Sequence, residues 1–122
     1  MVFSDEVIFL LRNLAQEAFD KGEVPVSAII FDKDQNVVSF SGNLRQSSMN
    51  VLGHAEVLSI LEAERKVGDW RLNGYCMLVN LEPCTMCSTI IRESRLDKVY
   101  FLVEKSDSEH LVDINSEYVD GY

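Results

Sequence analysis

The sequence predicts a layered α/β domain with mixed strand pairing, and three observations carry that expectation. Helical and strand-like hydrophobic periods alternate after one hairpin, in the order α-β-β-α-β-α-β. The 122 residues suffice for one domain with a sizeable core, expected to be residues 1–122 with an acidic tail over 104–122. A hydrophobic content of 47% beside 25% charged residues is that of an ordinary soluble chain.

The first helix is expected from Ser4, a capping residue followed by Asp5 and Glu6 where the helix dipole favours acids. Val7, Leu10, Leu11, Leu14 and Ala18 make its apolar stripe, and Gly22 ends it. A β-rich run, Val24 to Phe31, is joined by the turn-forming Asp32 to Asn36 to a second run, Val37 to Ser41. That is a hairpin. Gly42 to Arg45 closes it, and a polar loop from Gln46 to Gly53 follows.

From Ala55, the apolar set Val57, Leu58, Ile60 and Leu61 predicts a helix that stops at Gly68, with Glu62, Glu64, Arg65 and Lys66 on its wet face. Asp69 to Gly74 reads as a loop; its lone Trp70 is more often a packing residue, although near a site such a ring can stack. Cys76 to Leu81 is a buried strand in which Cys76 behaves as a small hydrophobe. A helix then opens at Cys84 with Ile90 and Ile91 inward, and Lys98 to Val103 is the last strand.

Two short stretches carry chemistry. Cys84 and Cys87, three apart, fall on one helix face and can share a metal. His54 offers a nitrogen ligand. Three protein ligands leave a fourth tetrahedral position for water, the pattern of a catalytic zinc. Cys76 and His110 lack ligand spacing to the others, so the site stays open. Glu56 lies two residues past His54, a separation that would turn the two side chains about 200° apart inside a helix. Both can face one site only if His54 stands just before the first turn. Both metal-binding stretches would then lie at helix N-termini, where the dipole favours thiolate and hydroxide.

No apolar run approaches the ~18 residues of a membrane span. Asp5 and Glu6 ahead of Val7 to Leu11 argue against a signal peptide. Three cysteines, two of them claimed by a metal, point to a reducing cytoplasm rather than a disulfide framework. The net charge of −9 is unlike a basic nucleic-acid footprint. The tail concentrates it: residues 104–122 hold six acids and one base, whereas residues 1–103 hold 14 acids and 10 bases.

Read together, His54-x-Glu56 and Pro83-Cys84-x-x-Cys87 form the zinc-deaminase signature. Further stretches resemble the tRNA-specific adenosine deaminases of the cytidine-deaminase-like superfamily. They are Gly22-Glu23-Val24-Pro25-Val26, Asn43-Leu44-Arg45, Gly68-Asp69-Trp70-Arg71-Leu72-Asn73-Gly74, Leu81-Glu82-Pro83-Cys84 and Arg95-Leu96-Asp97-Lys98-Val99. The resemblance implies a three-layer α/β/α cytidine-deaminase-like fold with a mixed central sheet. It implies Zn2+ on His54, Cys84 and Cys87, proton transfer by Glu56, purine contact by Asn43 and a pocket wall at Val24. It further implies a homodimer converting adenosine to inosine at the wobble position of a tRNA anticodon stem-loop.

Read from the residues alone, Asn43 at a strand end is more often a turn former than a base reader. The same site chemistry would also serve a deaminase of a free purine base, nucleoside or nucleotide of the guanine, adenosine or dCMP type. A catalytically idle zinc-binding partner subunit is the third reading.

Overall fold

Four strands, β1 (Ser27–Asp32), β2 (Val37–Gly42), β3 (Tyr75–Leu81) and β4 (Lys98–Val103), build one mixed sheet in the order β2-β1-β3-β4. Helix α1 (Asp5–Asp20) covers one face; α2 (Ala55–Val67) and α3 (Thr85–Glu93) cover the other. The computed structural model describes residues 2–104. The expectations for His110 and for the acidic tail past Glu104 lie outside the described residues.

β1 pairs antiparallel with both β2 and β3, and β3 pairs parallel with β4 through the α3 crossover. Alternation along each strand sorts the two cores. Ile29, Phe31, Cys76 and Leu78 meet Val7 and Leu11 of α1, while Ala28, Ile30, Met77 and Val79 meet Ala55, Ile60 and Ala63 of α2 and Ile91 of α3. The layers are α/β/α, with every element in the expected order. The Ser27 hydroxyl donates to the Leu11 carbonyl at 2.6 Å and ties α1 to β1, one of the sheet's two inner strands.

The ends of the helices follow local chemistry. Ser4 caps α1 by accepting the Val7 N–H, and Gly22, at φ +82°, ends it with the Glu23 N–H donating back to the Ala18 carbonyl at 2.9 Å. Gly68, at φ +80°, closes α2 in the left-handed conformation.

Four expectations need correction. The strand begins at Ser27 rather than Val24: Pro25 has no N–H to give, and Val26 N–H turns back to the Val24 carbonyl. The Asn80 side chain bridges this break, accepting from Ser27 N–H and donating to the Pro25 carbonyl. Leu61 is 57% exposed, and Ser59 and Ala63 fill the inner face of α2 in its place. Of the α1 stripe, Leu10 and Leu14 are only half-buried. Trp70 does not pack in the core; it is exposed, with the Arg71 and Arg95 guanidinium carbons 5.5 and 5.7 Å from its ring centre. Its neighbour Leu72 is the buried residue of that loop.

Candidate functional site

The parallel β3–β4 connection sets the site. A crossover between parallel strands starts its helix at the carboxyl end of the first strand, where α/β folds place ligands. Pro83 and Cys84 make that turn, and Cys84 becomes the N-cap of α3, with φ −70° and ψ 172°. Its Sγ accepts the Cys87 N–H at 3.5 Å. The thiol therefore faces the positive end of the helix dipole.

His54 is the N-cap of α2, also extended, with φ −75° and ψ 144°. The two-residue spacing to Glu56 is thereby resolved: His54 lies outside the helix and Glu56 in its first turn. The imidazole makes no capping hydrogen bond and instead meets the cysteines. Its Nδ1 stands 3.9 Å from Cys84 Sγ and 3.5 Å from Cys87 Sγ.

All three ligand atoms lie within 4.8 Å of one another. A tetrahedral zinc with ordinary bond lengths spaces sulfur and nitrogen about 3.6 Å apart, so the two measured edges bracket the value the ion requires. Electrostatics agrees. The Cys87 thiol is pushed far up by its hydrogen bond with Cys84, then by burial and the Glu56 charge, so a cation beside it is what would favour its thiolate. The donor set fits zinc.

A cavity of about 210 Å³ opens beside these residues. Glu56, 3% exposed, and Cys84 and His54 line its floor; Val24, Asn43 and Arg45 line its wall. All six sequence-expected residues are thus in one place, with Cys87 buried behind Cys84 and Glu56. Asn43 is 7% exposed, and its Oδ1 accepts the Arg45 N–H at 3.0 Å, so the side chain forms a turn and lines the pocket at once. Val24, 62% exposed, sits at the rim.

Glu23 and Glu82, both buried, line the same cavity. Glu23 lies in the Gly22-Glu23-Val24-Pro25-Val26 stretch that carries the resemblance, but its role does not show there, because its hydrogen-bond partners Gln46 and Ser47 lie more than twenty residues away. For Glu82 its place directly before Pro83 and Cys84 is the available signal.

Residues 3–103 match the family model of the cytidine and deoxycytidylate deaminase zinc-binding region. The chain is 42% identical over 97 residues to the tRNA-specific adenosine deaminase of Rickettsia bellii (strain RML369-C), covering 79% of this chain and 66% of that protein. It is 40% identical over 87 residues to that of Bacillus subtilis (strain 168), covering 71% and 53%. The chain thus spans about half to two thirds of the length of these curated relatives. A structure from a study of A-to-I editing by tRNA:A34 deaminases superposes with a TM-score of 0.77 at 34% identity, covering 80% of this chain and 75% of that one. Guanine deaminase from Bacillus subtilis superposes with a TM-score of 0.78 at 27% identity, covering 87% and 68%.

Proposed function

The chain belongs to the cytidine and deoxycytidylate deaminase zinc-binding family, and from that premise we propose that it is a hydrolytic deaminase converting adenosine to inosine at the wobble position of a tRNA anticodon. The observation that carries the chemistry is the meeting of three ligand atoms with a buried carboxylate on one small cavity. The tRNA-specific adenosine deaminases at 40–44% identity support the substrate.

His54, Cys84 and Cys87 would hold zinc, which when bound supplies Lewis acidity that brings the pKa of water at its fourth position to about 7. Glu56 is not a ligand. It takes a proton from the attacking water and passes it to the purine ring nitrogen, then takes the second proton from the hydroxyl added to the carbon and gives it to the amine, which leaves as ammonia. The carbon gains a C–O bond and loses its C–N bond, with no change in oxidation state. The Asn43 amide reads the purine edge while Val24 walls the rim.

The cavity, about 210 Å³, is below the ~300–1,000 Å³ of pockets for drug-sized ligands and suits one flipped-out base. Its lining holds three carboxylates, Glu23, Glu56 and Glu82, and one cation, Arg45. Such walls tolerate a neutral base better than a phosphate, which leaves the backbone of the substrate outside.

Residues 1–122 act as one deaminase domain in this reading. It works in the cytoplasm, consistent with three free thiols, and as a homodimer, as the resemblance to the tRNA-specific adenosine deaminases implies. No helix among the described residues is long and apolar enough to cross a membrane.

The test is inosine formation by zinc-loaded protein on an anticodon stem-loop with adenosine at the wobble position, across a salt series. Activity that falls steeply with salt is expected of phosphate contacts; no inosine from correctly metallated protein refutes the substrate. The second reading, a free purine deaminase, is favoured by the guanine deaminase likeness and the small cavity. Ammonia release from guanine or adenosine without RNA turnover would establish it.

A further inference from the structure

The segment between β2 and α2 supplies the pocket wall at Asn43, Arg45 and Gln46, and ends at the metal ligand His54. It folds back on itself. Leu44 N–H donates to the Gly53 carbonyl at 2.8 Å, Asn50 N–H to the Arg45 carbonyl at 3.2 Å, and the Ser48 hydroxyl to the Leu44 carbonyl. All these bonds lie within the loop.

Glu23 joins that loop to the body of the protein. Its side chain is 4% exposed. Oε1 accepts the Gln46 N–H at 2.9 Å, Oε2 accepts the Ser47 N–H at 2.6 Å, and the Ser47 hydroxyl donates to Oε2 as well. A buried carboxylate is costly unless donors satisfy it, and hydrogen bonds to an ionised acceptor are the strong ones. Every one of these donors comes from a single turn of the loop. The other end of the link is equally fixed, because the Glu23 N–H closes the C-terminus of α1 on the Ala18 carbonyl.

This anchor adjoins the substrate wall directly, since Gln46 follows Arg45. The Arg45 N–H that holds the Asn43 side chain belongs to the peptide just ahead of Gln46. A loop released at residues 46 and 47 therefore carries Arg45 with it and unseats the Asn43 amide.

We propose that Glu23 is a positioning residue that seats the β2–α2 loop on the C-terminus of α1 and thereby fixes Asn43 and Arg45 against the substrate base. The proposal rests on the deaminase reading of the pocket. Because the bound partner of this wall is a base rather than the metal, loss of Glu23 acts on substrate affinity and leaves zinc in place.

The experiment uses the zinc-loaded full chain, Glu23→Gln, Ser47→Ala and the double variant. Amide exchange at Gln46 and Ser47 is measured without substrate, alongside zinc content and KM and kcat on the adenosine-containing anticodon stem-loop. In E23Q those two amides are expected to exchange about tenfold faster and KM to rise by about tenfold, the worth of one charge-assisted hydrogen bond. Zinc content and kcat should stay near wild type. S47A should show a smaller shift of the same kind, and the double variant should lose less than the sum. Unchanged exchange in E23Q, or unchanged KM with faster exchange, overturns the proposal. So does a loss of zinc in step with activity, which would mark a merely structural role. If the wild type makes no inosine, the substrate reading fails, and exchange in the variants still decides whether Glu23 seats the loop.

Discussion

His54 Nδ1 and Cys87 Sγ stand 3.5 Å apart although 33 residues separate them in the chain. The contact joins the first residue before α2 to the inner wall of α3, so two helix starts on neighbouring elements become one ligand set.

Removing a member of that set removes the metal. Cys84→Ala and Cys87→Ala should each reduce bound zinc from equimolar to near zero by elemental analysis, with deamination lost in parallel. Retained zinc in either variant would reject the assigned ligands.

Glu56→Gln separates metal from chemistry. The amide keeps the volume in the first turn of α2 but cannot carry the proton. Zinc should remain equimolar while kcat falls ~10²–10⁴-fold, the usual contribution of a positioned general acid–base. Activity within a few-fold of wild type would end the role given to Glu56.

Gly53 and Gly68 should respond differently to alanine. A Cβ at Gly53 would meet Ser48 Oγ at 2.8 Å and the Arg45 Cα at 2.9 Å, so the loop must shift. G53A should lose ~1–3 kcal/mol, as overpacked sites do, and lower deamination. At Gly68 the space is open and φ is +80°, so G68A should cost about 1 kcal/mol of backbone strain and spare activity. Chemical denaturation with paired kinetics checks both.

Acid should destabilise the fold in a defined direction. The Ser47 hydroxyl and the Gln46 and Ser47 amides hold the Glu23 carboxyl below its ordinary value of 4.5, and the Asn36 side chain and amide hold Asp32 below 3.8. A carboxyl lowered on folding contributes stability above its unfolded value and loses it as pH falls through the folded one. The melting temperature should therefore stay level from neutrality to about pH 5 and fall below about pH 4. Asp32→Asn should flatten part of that fall.

The element order and the pairing of Cys84 with Cys87 were legible because both are local. Periodicity places each helix and strand, and Cys84 and Cys87 share a face by spacing alone. His54 and Glu56 could be reconciled from geometry, since only an N-cap allows both to face one site. What escaped depends on distant partners. The start of β1 at Ser27 turns on the Asn80 side chain, 53 residues on. Leu61 has an apolar period but meets no facing element among the described residues, and the seat that Glu23 gives Ser47 crosses 24 residues. Asn43 was ambiguous for a different reason: the same amide makes the turn and lines the cavity.

Helix α2 begins on an imidazole that caps nothing. A Ser or Asp there would contribute about 1 kcal/mol to the helix; His54 leaves that contribution to whatever its ring binds. With zinc on His54 as proposed, metal binding and folding would be linked through RT ln(1 + [L]/Kd). The melting temperature is then expected to rise with free zinc and to fall under chelation.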